Sequence, residues 1–152
     1  DHMTTAFTDV RIKQFLEMRG SDAGSPAMMV AQSALWTGLL YDPAALAAAL
    51  ALVQRTPWPA YQALRAIVPA QGLSAPFERG TARDLAREML DIATSGLRAR
   101  DRRNSAGQDE TIYLEPLRAI VDGAPTQAEQ ALADYAGRWH GDAGRMLLDA
   151  AV

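Results

Sequence analysis

Along most of this chain apolar side chains return every three or four residues, but between Val10 and Gly20 they return every second residue. On a strand, Val10, Ile12, Gln14, Leu16 and Met18 share one face, while Arg11, Lys13, Phe15, Glu17 and Arg19 share the other. The first face is mostly apolar and the second is crowded with charge. Most of the chain downstream reads as helix. Ser25-Pro26 is an N-cap followed by proline at the first helical position, and Met28, Met29, Ala31, Gln32, Leu35, Trp36, Leu39 and Leu40 predict a largely buried helix to about Tyr41. Asp42-Pro43 repeats the signal before an Ala/Leu-rich core helix, Ala44 to Gln54. Thr56-Pro57 opens a third helix, with Trp58, Tyr61, Leu64, Ile67 and Val68 on one side and Pro69 and Gly72 closing it. Leu73 to Gly80 is read as a connector whose Phe77 packs down.

Thr81 then caps the clearest amphipathic helix, with Leu85, Met89, Leu90, Ile92, Ala93 and Leu97 inward and Arg83, Asp84, Arg87, Glu88 and Asp91 outward. Asp109-Glu110-Thr111 caps a segment from Ile112 to Val121 that Pro116 should bend or restart. Thr126-Gln127-Ala128-Glu129 is a capping box for a helix with Ala128, Ala131, Leu132 and Tyr135 inward, stopping near Trp139, and a short helix from Ala143 to Ala151 follows. The expected class is therefore mainly α, a helical bundle with one N-terminal β-strand. The three tryptophans, Trp36, Trp58 and Trp139, are read as core or interface anchors.

Composition narrows the function. The 152 residues suffice for one domain and carry a net charge of −3, so no basic surface predicts nucleic-acid binding. The absence of cysteine removes thiolate chemistry and fits a reducing compartment, for which the cytoplasm is the default expectation. The longest apolar run, Ala44 to Val53, is too short to span a bilayer, and no signal-peptide pattern is visible, so no membrane partner is expected. Phosphate loops, dinucleotide fingerprints, zinc motifs and nucleophile elbows are missing. The basic run Arg98 to Arg103 is read as solvated charge at a helix C-terminus, Glu110 and Glu115 as capping or solvated carboxylates, and His2 and His140 as non-catalytic. What remains is Glu17 and Arg19 on the charged strand face: a hard-oxygen donor for Mg²⁺ beside a guanidinium able to clamp a phosphoryl oxygen. A plain salt bridge would give the same two letters.

At these residues the chain resembles a known family. Residues 1–22, ending in Phe15-Leu16-Glu17-Met18-Arg19-Gly20-Ser21-Asp22, resemble the strand and turn of the plant and proteobacterial glutamate-cysteine ligases, which usually run from His-Leu-Thr-Thr to Glu-x-Arg-Gly-Ala-Asp. Ala34 to Asp42, Asp109-Glu110-Thr111 with Leu114 to Leu117, and Thr126 to Glu129 resemble further family segments in order. The resemblance implies that Asp1-His2-Met3 is native sequence and that the chain is the C-terminal third of a larger ligase. Residues 1–24 would give the catalytic strand and turn, and 25–152 a helical scaffold. It implies a glutamine-synthetase-like fold whose antiparallel sheet receives the strand. It also implies an enzyme that uses ATP and Mg²⁺ to join glutamate to cysteine through γ-glutamyl phosphate, the first step of glutathione synthesis. Glu17 would be a Mg²⁺ ligand, and Arg19 would be catalytic and would contact the nucleotide's transferring phosphoryl group. The segment alone should be inactive. One departure stands out: many relatives carry Gly-Gly-Pro-Trp-Arg-Arg after the turn, where this chain has Ala23-Gly24-Ser25-Pro26-Ala27-Met28-Met29. The alternative function is a stand-alone helical interaction module. In either case an isolated segment is expected to form a homodimer through the exposed strand, Val10 to Met18, or to leave that stretch disordered.

Overall fold

A computed structural model describes residues 9–22 and 24–150, the side chain of Ala150 excepted. The lead-in Asp1 to Thr8, with His2 and the family-like His-Met-Thr-Thr stretch, lies outside the described residues, as do Ala23 and Ala151. The chain runs β1 (Val10–Ile12), β2 (Leu16–Met18), α1 (Pro26–Leu40), α2 (Pro43–Gln54), α3 (Trp58–Gln71), β3 (Pro76–Phe77), β4 (Gly80–Thr81), α4 (Ala82–Arg100), α5 (Glu115–Val121), α6 (Gln127–Ala136) and α7 (Gly144–Ala150). The mainly helical class is as expected.

The alternating stretch is not one continuous strand. It folds back on itself as an antiparallel hairpin, pairing Val10 with Met18, Arg11 with Glu17 and Ile12 with Leu16. Lys13 to Phe15 form the turn, where the Lys13 N–H donates to the Phe15 carbonyl at 2.9 Å. The β3/β4 pair is a second, smaller antiparallel ladder that seats Phe77 in the interior.

The caps follow the sequence. Ser25 Oγ accepts from the Met28 N–H at 3.3 Å, Asp42 Oδ1 from Ala45 at 2.8 Å, and Asp109 Oδ1 from Thr111 at 3.0 Å. Thr126 and Glu129 close their reciprocal box. Pro116 does restart the chain: a 3-10 turn over Glu110–Leu114 hands over to α5, with Pro116 in its first turn.

The core lies between α1, α4 and α5, where Leu39, Leu90, Leu97, Leu114 and Val121 are buried with Ala34 and Ala93. Helices α1 and α4 cross backbone to backbone. A Cβ on Gly38 would land on the Ala93 carbonyl oxygen, and one on Gly96 on that of Gly38.

Several helix expectations need correction. Helix α2 buries only Ala45 and Leu52 and leaves Leu46, Leu50 and Val53 exposed, so it is a flank rather than a core helix. Helix α3 runs through Pro69 to Gln71 and buries no residue completely. Gly72, at φ 55°, ends it. Trp58 is exposed. In α6, Leu132 and Tyr135 are exposed, because no described element covers that face. Arg83 and Arg87, expected outward, instead donate to the C-terminal carbonyls of α5: Arg83 to Ile120, and Arg87 Nη2 to Val121 at 2.7 Å.

Candidate functional site

The hairpin register places Arg11 opposite Glu17, so the two side chains leave the same face. Arg11 Nε donates to Glu17 Oε2 at 2.6 Å, with the side chains 39% and 31% exposed. That hydrogen bond holds the Glu17 carboxyl below the usual range. Partial burial pushes the other way, and the charges of Arg11, Lys13 and Arg19 reinforce the lowering. Arg19 follows directly after β2, and its N–H donates to the Asp9 carbonyl at 2.7 Å, tying off the open end of the hairpin. The Asp9 carboxylate in turn accepts from Arg65 Nη1 of α3 at 3.1 Å. The open end of the hairpin is thereby linked to α3.

The expected neighbours Glu17 and Arg19 thus sit in one charged cluster, but the hydrogen bond to Glu17 comes from Arg11. Sequence reasoning missed this partner because Lys13-Gln14-Phe15 contains no Gly, Asn or Asp to announce a hairpin turn. Three cations around one carboxylate suit an anionic ligand. One carboxylate is not a metal site, and no group of three or more His, Asp or Glu side chains able to hold an ion occurs among the described residues. Glu17 can supply a single hard-oxygen ligand, and any further ligands would have to come from other chain segments.

Beyond Arg19 the chain enters a turn that forms one wall of a cleft of about 430 Å³. The opposite walls are the first three turns of α1, Leu117 of α5 and Gln127 at the start of α6. Met28 and Met29, standing where many relatives are expected to carry paired arginines, line it.

Comparison with known proteins bears on this arrangement. The model of glutamate-cysteine ligase family 2 matches residues 1–149. The chain belongs to that family. It is 37% identical over 139 residues to a chloroplastic glutamate-cysteine ligase A of Oryza sativa subsp. indica, covering 91% of this chain and 27% of the relative. It is likewise 37% identical to the chloroplastic ligase of Arabidopsis thaliana and 35% identical to that of Nicotiana tabacum, each over 91% of this chain and 26% of the relative. This member of glutamate-cysteine ligase family 2 therefore spans about a quarter of the length of the curated relatives it matches.

Those names correct the cytoplasmic expectation, since all three relatives are called chloroplastic. A lack of cysteine reports on redox chemistry and cannot distinguish one reducing compartment from another. No single helix among the described residues is long and apolar enough to cross a membrane.

The remaining candidates in this family member lie away from the hairpin in the sequence. Glu110 pairs with Arg100 at 3.1 Å, and Glu115 sits exposed in the first turn of α5. Arg103 pairs with Asp101 at 2.8 Å within the basic run. His140 is exposed with φ 49°. Trp139 is buried, and its indole N–H donates to Asp149 at 2.7 Å.

Proposed function

We propose that this segment is part of an ATP-dependent ligase that joins the γ-carboxylate of glutamate to the amine of cysteine, the first step of glutathione synthesis. Residues 1–24 would supply a catalytic hairpin and turn, and 25–152 the helical scaffold that holds them. A γ-carboxylate oxygen attacks the terminal phosphorus of ATP, releasing ADP. The cysteine nitrogen, as the neutral amine, then attacks the acyl carbon, forming the C–N bond as the bond to phosphate breaks, and phosphate and a proton leave to solvent. Arg19 steadies the oxygens of the transferring phosphoryl group, and Glu17 would hold a Mg²⁺ ion as one of several ligands. When bound, that ion would neutralise phosphate charge. Arg11 keeps the Glu17 carboxylate ionised and oriented until the ligand arrives.

The observation that carries this reading is the placement of Arg11, Glu17 and Arg19 together on a short hairpin within a segment matched to the family over residues 1–149. A second observation bears on the state of the isolated segment. Among the described residues the hairpin turns large apolar side chains to solvent. Ile12 is 82% exposed, with Val10, Phe15 and Leu16 beside it. Such a surface suits a piece that other parts of a ligase cover, and an isolated copy would pair through the same hairpin.

The test is ATP-, Mg²⁺- and glutamate-dependent formation of γ-glutamylcysteine by the segment alone and after mixing with the upstream portion of a related ligase. Activity only after mixing supports the proposal. Activity of the segment alone would overturn its incompleteness. Failure of a full-length ligase carrying this segment to form the product would favour the helical interaction module.

A further inference from the structure

We infer that a second cleft binds a short primary alkylammonium, a small-molecule amine on an aliphatic stem. This cleft, of about 790 Å³, lies between the end of α2, the turn joining β3 to β4, and the first two turns of α4. No described residue of the β1/β2 hairpin or of the turn after it lines the cavity.

Its polar side is assembled from three elements. Glu78 and Arg79 form the two-residue turn between β3 and β4. Glu78 stands at φ 53°, a left-handed backbone that a residue with a Cβ rarely adopts. Such strain persists only where the surroundings hold it, and it collects at ligand sites. Here the hold comes from Arg55, directly after α2. Its Nη2 donates to Glu78 Oε2 at 3.1 Å and its Nη1 to Glu88 Oε2 of α4 at 3.0 Å. One guanidinium thus draws two carboxylates from different elements to one place. It uses a single oxygen of Glu88, so the other is open to a further donor.

Charge sets the sign of the ligand. Three carboxylates, Glu78, Asp84 and Glu88, face two guanidiniums, Arg55 and Arg79. One more positive charge balances the lining, whereas an anion would have to displace Glu78 and Glu88 from Arg55. A metal ion does not suit the cleft: no group of three or more side chains able to hold one occurs among the described residues. Asp84 Oδ2 is moreover committed to the Thr81 N–H and hydroxyl.

An ammonium brings three N–H donors, and Glu78, Glu88 and Thr56 offer three acceptors. Thr56 lines the cleft and is 8% exposed. Its buried hydroxyl has no hydrogen-bond partner among the described residues, a costly state that a donor from the ligand relieves. Phe77 and Leu85 give the stem an apolar wall. Phe77 is buried and braced by the Tyr61 ring, with centroids 5.2 Å apart. A second charge on the stem would be desolvated there without a partner. An Arg55 staple alone would account for neither the Glu78 backbone nor the Thr56 hydroxyl.

The probe is n-butylamine, titrated into the 152-residue chain near neutral pH at constant ionic strength and followed by backbone amide NMR. Saturable shifts at Thr56, Glu78 and Glu88 should give a Kd of about 1 mM. Tetramethylammonium has the charge without N–H donors, and butyrate has the stem with the opposite charge. Each should bind at least about tenfold more weakly. Glu88→Gln should weaken butylamine binding about tenfold. Thr56→Val should weaken it about threefold or more, while Thr56→Ser, which keeps the hydroxyl, should stay within about twofold. Without ligand, Thr56→Val should leave the thermal midpoint unchanged or raised, because the hydroxyl it removes is unpaired.

Absence of saturable shifts up to about ten times that concentration would overturn the site. So would equal shifts with tetramethylammonium, or binding unchanged in both Glu88→Gln and Thr56→Val. A sharply lowered midpoint in Thr56→Val would mean that the hydroxyl already has a partner, which would overturn the three-acceptor arrangement.

Discussion

Arg11, Glu17 and Arg19 are within nine positions of one another, and their roles separate by geometry. Arg19 is the residue assigned to the phosphoryl group. Its replacement by alanine in a full-length ligase should lower kcat by ~10²-fold or more with a smaller change in KM, because it acts on charge that develops during transfer. Steady-state kinetics with kcat nearly unchanged would remove it from the mechanism. Arg11 acts through Glu17. Its hydrogen bond is the largest cause of the lowered Glu17 carboxyl, so Arg11→Gln should bring that carboxyl back up toward the ordinary glutamate range. A carbon-detected NMR titration of the Glu17 carboxyl reads this directly, and an unmoved midpoint would contradict the pairing. The sequence showed both Glu17 and Arg19 as candidates, since charge on one strand face is visible in a period-two pattern. It hid Arg11, because a turn built from Lys13-Gln14-Phe15 has no residue needing a left-handed backbone, and none of the three adopts one.

Among the elements, helix starts were the most legible feature, since each cap is a short local motif. Ser25, Asp42, Thr81, Asp109 and Thr126 all stand where their side chains announce a start. Helix faces were less so, because burial depends on which neighbour arrives. Ala/Leu-rich α2 shows no preferred side, and α6 has an apolar stripe that no described element meets. Of Pro69 and Gly72, the pair that the sequence offers as closing α3, only Gly72 ends it: the helix runs through Pro69 to Gln71. The caps carry a pH dependence. Asp84 and Asp109 are lowered by hydrogen bonds from Thr81 and Thr111, side chain before backbone, and Glu129 by the Thr126 N–H and then its hydroxyl. A lowered carboxyl stabilises the fold fully above its unfolded range, and this contribution is lost as pH falls through the folded value. The thermal midpoint should therefore be flat near neutrality and fall below about pH 4, with the loss reduced in Thr126→Ala, which itself costs about 1 kcal/mol. A midpoint rising on acidification would contradict this. The α1/α4 crossing is the most demanding contact. Gly96→Ala should cost about 3 kcal/mol or more by forcing the helices apart, read by chemical denaturation, and a neutral result would mean that the crossing is loose.

Across the whole molecule the helical layer is ordered around one small core while the hairpin offers an apolar flank to its surroundings. The isolated segment should elute on gel filtration above its monomer mass, and Ile12→Lys with Leu16→Lys should return it to monomer without altering its helical circular dichroism. Identical elution of both forms would sink the pairing idea. Most of the helical architecture could be read from the sequence, since its information is local, whereas the hairpin and the cleft depend on contacts that no spacing rule encodes. The glycine crossing also has a historical consequence. Gly38 confronts the backbone of Ala93 and Gly96 that of Gly38, so neither can gain a side chain without forcing the helices apart, and the scaffold is closed to drift at that point. Met29, about two and a half turns of helix before Gly38, is exposed and meets no such constraint. Descendants of such a chain can diverge at the exposed start of α1 while inheriting the same frame unchanged.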